Sequence, residues 1–558
     1  MPRPFTGDLM ATNLFGTDGI RGQVNANIQN EKIALEALRE NREISPPIFR
    51  LIGEALGRCC EVESGQQLRA VVGWDDRPSN TLLAEYLTVG LNLAGFEVTH
   101  IGVCATPGLH YATLMFEADF GCMITASHNP VADSGLKIFT KYGYKTLPDF
   151  EVELSRNAIS LSREDREIDH IERERLAIPA TQHYSSDWSI TNHSAWLTER
   201  YSGLAQMLGK QLSSASNISR PLLVDSSRGS NKHWLVNWLI DRGIAALEVS
   251  DSAPCLNENC GAGDFLPTQE WTFADAKRSS HRLISQLSSC QPGTLVGAAL
   301  DGDGDRCLLI ESTTTGFRVI DGDRIADAFI NCFSQAGYDW HLAASIESDL
   351  SLTTNLDRFP QPIKTSETAV GDRWLSVSLS NGIVDEYLVE ESLPQLIGVE
   401  DSGHVVLPSP HPKLDQNWSL VGDGAMSLVV YLLSTTNLNE ATLMKRGWKC
   451  RQSVSEVDRS KWDGKNQLSN TVESTFREYL GNTYDIDNWA RTVVDGEANL
   501  MLITCTLSGA KLSLGVRNSG TQAKISVSAR LEQGGDSSGI QRSIDAVCDI
   551  LAAQMVSR

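Results

Sequence analysis

An α/β fold divided among several domains is what the sequence predicts, on three observations. Apolar strand-like runs alternate with helical stripes along most of the chain. Glycine and proline turns join them, without close sequence repetition between the units. At 558 residues the chain also exceeds what one hydrophobic core organises, which points to about three to five domains.

The elements follow in order. Leu68–Trp74 reads as a buried strand, 78–94 as a helix with one apolar stripe, and Phe96–Val103 as the next strand. The same order recurs at 221–224, 232–241 and 244–249, and another strand is expected at Leu295–Leu300. Segment 162–175 is dense in Arg, Glu and Asp and reads as a solvated helix laced by i,i+4 pairs. Residues 452–490 are polar and weakly patterned, and strands resume at 500–507. Domain boundaries are expected near 190, 315 and 440.

A formal net charge of −22 argues against a general binder of nucleic acid or anionic membrane, because counterion release rewards basic surfaces. A phosphorylated ligand would need a local positive pocket inside a negative field. The 12 cysteines form no Cys-x-x-Cys pair and no zinc-spaced cluster. Adjacent Cys59 and Cys60 fall in an amphipathic pattern and are expected to be buried thiols. The start carries no apolar signal region and no run approaches membrane-spanning length, so a reducing, cytoplasmic setting is expected.

Chemistry concentrates in four loops. Directly after the apolar run 296–300 comes Asp301-Gly302-Asp303-Gly304-Asp305-Arg306. Carboxylates alternating with glycine let a loop fold so that several oxygens meet one hard cation, and Mg²⁺ suits them. Arg306 would be repelled by that metal but attracted to an anion beside it, which points to phosphate chemistry. A calcium EF-hand loop is excluded, because its sixth and twelfth positions hold Arg306 and Ser312. An acidic turn without metal is the alternative, although three close carboxylates after a buried strand are costly unless neutralised. A second Asp-Gly-Asp-Arg at 321–324 lacks the third carboxylate, and Asp323 is expected to cap a helix.

Thr125-Ala126-Ser127-His128-Asn129-Pro130 follows the apolar segment Phe120–Ile124, a strand end of the kind where open α/β sheets place ligands. Ser127 needs a base, metal or charged neighbour to react, and Lys137 lies ten residues on. Alone, the segment reads equally well as a turn. Beside a metal loop, a phosphoserine whose oxygen completes the cation's shell explains both. In the third loop Glu400, Ser402 and His404 offer a carboxylate, a hydroxyl and an imidazole at alternate positions, suited to vicinal sugar hydroxyls or to an acidic hairpin turn. The fourth, Arg517-Asn518-Ser519-Gly520-Thr521 between strands at 511–516 and 524–530, offers a guanidinium, hydroxyls and backbone N–H groups to a phosphate.

These four loops in this order, with Phe15-Gly16-Thr17-Asp18-Gly19-Ile20-Arg21-Gly22, resemble the α-D-phosphohexomutase superfamily over nearly the whole chain. Asn257-Glu258-Asn259-Cys260-Gly261 and Val370-Gly371-Asp372-Arg373 are most similar to its phosphoglucosamine mutase branch. The resemblance implies three related α/β domains and a smaller C-terminal α+β domain around a central cleft, one loop from each. Residues 1–190 would carry the phosphoserine loop, 191–315 the metal loop, 316–440 the sugar loop and 441–558 the phosphate loop. It implies that Ser127 carries the catalytic phosphate and that Asp301, Asp303 and Asp305 bind Mg²⁺ with it. Glu400, Ser402 and His404 would recognise the sugar, and Arg517, Ser519, Gly520 and Thr521 the non-reacting phosphate. Arg21, His128, Lys137 and Arg306 match positions around the reacting phosphate. Lys137 is the expected general base, with its pKa lowered by burial among cations.

Several positions depart from the family pattern: Ser134, Gln522, Ser526, Val399 and the stretch Ala262-Gly263-Asp264. Greater than usual length implies insertions around 145–195, 405–420 and 450–490. The implied reaction moves phosphate between O6 and O1 of a hexose through a sugar 1,6-bisphosphate, which also serves as activator. Glucosamine phosphate is the first expectation, with mannose or glucose phosphate as alternatives. A phosphosugar phosphatase and a non-catalytic phosphosugar-binding protein are the competing classes.

Overall fold

A computed structural model describes residues 13–60, 66–164, 180–519 and 523–556. Among the described residues the strands form four sheets. The first runs Glu43–Ile44, Ile20–Val24, Asp133–Thr140, Phe120–Ile124, Leu68–Trp74, Phe96–Val103, Gln182–His183. Its strand Leu68–Trp74 pairs in parallel with both neighbours. Such strands are covered on both faces and read as continuous apolar runs. Side chains alternate accordingly: Ala70, Val72, Cys122 and Ile124 join one core with helices Pro46–Arg58 and Asn80–Leu93. Val71 and Met123 face the opposite core with helix Thr106–Met115.

The second and third sheets each have six strands, and helices Gly322–Gln335 and Gly424–Ser434 pack against each other. One cluster of buried side chains runs from Leu222 and Leu300 of the second sheet to Ile397 and Leu407 of the third. The fourth sheet is antiparallel throughout and carries helices Gln467–Gly481 and Ile540–Met555 over its own core. No helix of the described residues is long and apolar enough to cross a membrane.

One feature of this topology positions the chemistry. Each of the four candidate loops connects two adjacent antiparallel strands: Phe120–Ile124 with Asp133–Thr140, Leu295–Leu300 with Cys307–Ser312, Leu396–Val399 with Val405–Pro410, and Ala510–Asn518 with Lys524–Leu531.

Several expectations change. Residues 452–490 are well structured, with strand Trp448–Ser455, helix Gln467–Gly481 and strand Ile486–Thr492. That helix buries Val472, Phe476 and Leu480, an apolar stripe only one residue wide. Position 190 falls inside helix Ser186–Leu208, and the second sheet continues past 315 because Gly316–Ile320 pairs with Cys307–Ser312. The helix expected over 232–241 is limited to Leu235–Ile240. Asp321, not Asp323, caps helix Gly322–Gln335: its side chain accepts from Arg324 N at 3.1 Å, while Asp323 accepts from Asp349 N at 2.7 Å. Cys59 and Cys60 are only half-buried. Of the charged segment 162–175, residues 165–175 lie outside the described residues.

Candidate active site

The wholly buried strand Phe120–Ile124 delivers Ser127 to the interior. Ser127 itself is buried and takes a left-handed backbone, φ 52°. For a residue with a Cβ, that conformation costs on the order of 1–3 kcal/mol and must be held by its surroundings. Its N–H donates to Thr125 Oγ1 at 2.8 Å, and the Thr125 hydroxyl donates in turn to Asp75 at 2.7 Å. Ser127 Oγ donates to Asp301 Oδ2 at 2.5 Å. The serine loop and the aspartate loop, 174 residues apart in sequence, therefore meet directly.

Asp301, Asp303 and Asp305 are all buried, with one carboxylate oxygen from each within 4.8 Å of the others. Asp303 Oδ2 accepts from Thr106 Oγ1 at 2.5 Å and from Lys137 Nζ at 2.7 Å. Asp305 Oδ2 accepts from Lys137 Nζ at 2.6 Å. The Oδ1 atoms of both remain buried without a hydrogen-bond partner. Two orphaned carboxylate oxygens beside a third carboxylate are a donor set that fits a small hard cation such as Mg²⁺.

Lys137 stands among the same carboxylates. Burial alone would lower its pKa, but Asp18, Asp303 and Asp305 outweigh burial and hold it well above the usual lysine value. Its neighbours are mainly anions, two of them the carboxylates that fit a cation. Asp301 is likewise shifted up, well above the carboxylate range, through burial and the nearby charges of Asp303 and Asp305.

Beside the triad opens a cleft of about 560 Å³. Arg21, His128, Arg306, Glu400 and His404 all line it, so segments from three of the four loops converge as expected. Burial, reinforced by Arg306 and Arg21, pushes His128 down to about 3, which keeps the imidazole neutral, and its Nδ1 is buried without a partner. His404 is shifted up, because Asp305 and Asp372 outweigh its burial. Its Nε2 lies 3.3 Å from Asp372 Oδ2, and Glu400 accepts from Gly371 N at 2.7 Å. Ser402 Oγ is buried without a partner. Backbone contacts stitch the loops together: Cys307 N donates to Gly403 O at 3.0 Å and Gly424 N to Gly304 O at 2.9 Å. Only glycine fits at 403, where φ is 89° and a Cβ would stand 2.3 Å from Cys307 O.

The fourth loop is arranged differently. Arg517 belongs to the end of strand Ala510–Asn518 rather than to the turn. Its Nη1 donates to Glu497 at 2.7 Å and its Nη2 to Glu347 Oε1 at 2.9 Å, an oxygen that Arg451 Nη1 also approaches at 2.9 Å. Arg517 does not line the cleft beside the triad. It is linked to it through Glu497, which also accepts from the cleft-lining Val370 N at 3.4 Å. Ser519 N donates to Lys524 O at 2.8 Å and closes the hairpin. Gly520 and Thr521 lie outside the described residues. Ser526 Oγ meets Ser453 Oγ at 3.0 Å, and Ser134 Oγ donates to Asn80 at 2.6 Å, so two of the departing positions are hydrogen-bonded.

Residues not assigned from the sequence complete the charge network. Asp18 pairs with Arg21 at 2.5 Å, with Lys145 at 2.8 Å and with Lys137 at 3.4 Å. Lys145 in turn reaches Asp372 at 2.8 Å. Asp18 and Asp372 stand inside the segments that carried the family resemblance, which was the available signal. Lys145 and Thr106 had none, because their partners lie far away in sequence.

The family model described as phosphoglucomutase/phosphomannomutase, alpha/beta/alpha domain I, matches residues 12–164. The phosphoglucosamine mutase of Ruegeria sp. (strain TM1040) is 27% identical over 80% of this chain and 82% of its own. That of Frankia alni is 28% identical over 84% of this chain and 89% of its own. The structure of a putative phosphomannomutase from Thermus thermophilus superposes with a TM-score of 0.59, at 18% identity, over 97% of this chain and 99% of its own. At a TM-score of 0.50 and 15% identity stands Aspergillus fumigatus N-acetylphosphoglucosamine mutase in complex with GlcNAc-6P and magnesium, covering 80% of this chain and 92% of that one.

Proposed function

The chain belongs to the α-D-phosphohexomutase superfamily and is a phosphomutase, and on that premise we propose that it interconverts glucosamine 6-phosphate and glucosamine 1-phosphate in the cytoplasm. The observation that carries the site assignment is the 2.5 Å approach of Ser127 Oγ to Asp301, beside two aspartates that each keep one buried oxygen unpaired. The amino-sugar reading is supported by the phosphoglucosamine mutases among the relatives and by the segments 257–261 and 370–373.

In the proposed reaction Ser127 carries a phosphoryl group. The group passes to the free hydroxyl of the bound sugar phosphate: the Oγ–P bond breaks and a sugar O–P bond forms. This gives the 1,6-bisphosphate, which also serves to load and activate the enzyme. The bisphosphate turns round, and its other phosphoryl group returns to Ser127. Asp301, Asp303 and Asp305 would hold Mg²⁺, which would offset charge on the transferring group and the carboxylate charge that Lys137 now faces. Lys137 is the proposed general base for the attacking hydroxyl, with the carboxylates it faces taken up by the cation, and His128, with Nδ1 unpaired, can hydrogen-bond the reacting group. Arg21 and Arg306 contribute positive charge to the reacting phosphate. Glu400, Ser402 and His404 hold the sugar. Arg517, Ser519, Gly520 and Thr521 hold the phosphate that does not react, accepting either end of the sugar in turn.

Turnover of glucosamine, glucose and mannose 6-phosphates should be compared on protein loaded with the matching bisphosphate. The highest kcat/KM is expected for glucosamine 6-phosphate. A higher value for glucose or mannose phosphate overturns the substrate, and leaves the phosphohexomutase class standing.

A further inference from the structure

Two side chains outside the reacting groups grip the loop that carries Ser127. Arg77 is buried at the end of the segment Asp75-Asp76-Arg77. Its Nε donates to Asp75 Oδ2 at 3.0 Å, which anchors the guanidinium. Nη1 donates to Asp133 O at 2.9 Å and to Pro130 O. Nη2 donates to Ser127 O and to Asn129 O, each at 2.9 Å. One guanidinium thus holds four carbonyls of a single short loop.

Asn257 comes from the other side, between strands Ala246–Glu248 and Glu270–Thr272 of the sheet that bears the aspartate loop. Its Nδ2 donates to the same two carbonyls, Ser127 O at 2.7 Å and Asn129 O at 2.9 Å. Ser227 Oγ donates to Asn257 Oδ1 at 2.5 Å, which decides which end of the amide faces the serine loop. A carbonyl has two lone pairs, and both carbonyls are then fully used. Gly302 closes against this arrangement, since a Cβ there would stand 3.0 Å from Ser127 O and 3.1 Å from Asn257 Nδ2.

We infer that Arg77 and Asn257 are positioning residues for phosphoryl transfer: from opposite sides they fix the carbonyls of Ser127 and Asn129, and so hold Ser127 in its left-handed conformation with Oγ facing Asp301. The inference rests on Ser127 as the phosphoryl carrier. It also gives Asn257, within the segment that singled out the amino-sugar branch, a physical task. Arg77 acts from within its own sheet. Asn257 acts across the boundary, tying the nucleophile to the unit that supplies the aspartates. Misplacement by about 1 Å is enough to cost on the order of 100-fold in rate.

Wild type, Ser127→Ala, Asn257→Ala, Ser227→Ala and Arg77→Lys should be compared in one assay, with bisphosphate-loaded protein and Mg²⁺, reading kcat, KM and thermal midpoint. Asn257→Ala is expected to lower kcat about 10- to 100-fold. Its KM should stay within about twofold and its melting midpoint close to that of wild type, since a positioning contact is felt in the chemical step. Ser227→Ala should move kcat the same way by less. Arg77→Lys should lose more than Asn257→Ala, because an ammonium cannot span four carbonyls in a fixed plane. If Arg77→Lys does not fold, Asn257→Ala decides. The inference is overturned if Asn257→Ala keeps kcat within about twofold of wild type while Ser127→Ala is inactive, or if its kcat and KM worsen in step with thermal stability. Full turnover by Ser127→Ala overturns the carrier role, and this inference with it.

Discussion

Ser127 and Arg517 stand at two ends of one proposed reaction, and they are held in opposite ways. Around Ser127 the contacts are short and buried, and they cross between sheets: Oγ to Asp301, Thr106 to Asp303, Cys307 N to Gly403 O. Arg517 instead sits among partly exposed ion pairs with Glu347 and Glu497, at the border of a sheet with its own separate core. The first arrangement suits a reacting centre, where displacement is penalised in rate. The second suits a group that must accept a phosphate, release it and accept it again from the other end of the sugar. Carboxylates that already occupy the guanidinium fork can be exchanged for phosphate oxygens, because both are anions that accept from its N–H groups.

Breaking the rigid end should produce the largest effect. Asp303→Asn removes charge from the triad and deprives Lys137 of a partner at 2.7 Å. Turnover at saturating substrate is expected to fall by at least about 100-fold, with a higher Mg²⁺ concentration needed for half-maximal rate. A titration of rate against Mg²⁺ checks this. At the exchangeable end, Arg517→Ala should raise KM for the sugar phosphate about 10- to 100-fold, the range for losing a charge-assisted pair, and lower kcat by less. Initial-rate kinetics separate the two parameters.

Acid should also distinguish the two ends. Burial, with His183 adding to it, holds His100 down to about 4. Burial together with the Arg200 charge holds His110 down to about 3, and burial holds His281 down to about 4. An unfolded chain would protonate these groups near pH 6.5, while the folded one keeps them neutral. The unfolded state then binds more protons, so stability falls as pH drops from about 6.5 to 4, by up to about 1.4 kcal/mol per pH unit for each histidine. No histidine follows His411, so the fourth sheet lacks this sensitivity. Hydrogen exchange at pH 5 is expected to loosen strands Leu68–Trp74 and Phe96–Val103 before Met501–Leu507 and Lys524–Leu531.

The smallest effect is expected from Glu347→Gln. This carboxylate is about a quarter exposed and competes with phosphate for Arg517. Pairs of this exposure contribute about 0–1 kcal/mol, so KM should fall by no more than about fivefold with kcat unchanged. A raised KM would mean that Glu347 orients Arg517 instead of competing for it, and the contrast between the two ends would need redrawing.

Legibility in the sequence followed the range of the interactions. The alternating Asp and Gly of 301–305 and the strand feeding them are local patterns, and the structure brings these residues together as expected. So are the strand Phe120–Ile124 and its following turn. The carboxylates around Lys137 were not legible, because all three come from segments more than 100 residues away. Arg77 gave no local signal either, since it acts on backbone carbonyls 50 or more residues distant, and Asn257 stood out only through the resemblance of segment 257–261. Helix Gln467–Gly481 was overlooked for a different reason. It buries so narrow a stripe, Val472, Phe476 and Leu480, that the surrounding polar residues hid its period.

The central claim, that Ser127 passes its phosphate to a sugar and takes one back, is tested most directly by following the label in a single turnover. Protein labelled with ³²P at Ser127 should be mixed with glucosamine 6-phosphate and Mg²⁺ and quenched at intervals. The label is expected to appear in the sugar 1,6-bisphosphate and then in the sugar monophosphates, with Ser127→Ala accepting no label from bisphosphate. Release of the label mainly as inorganic phosphate, or normal mutase turnover by Ser127→Ala, would contradict it.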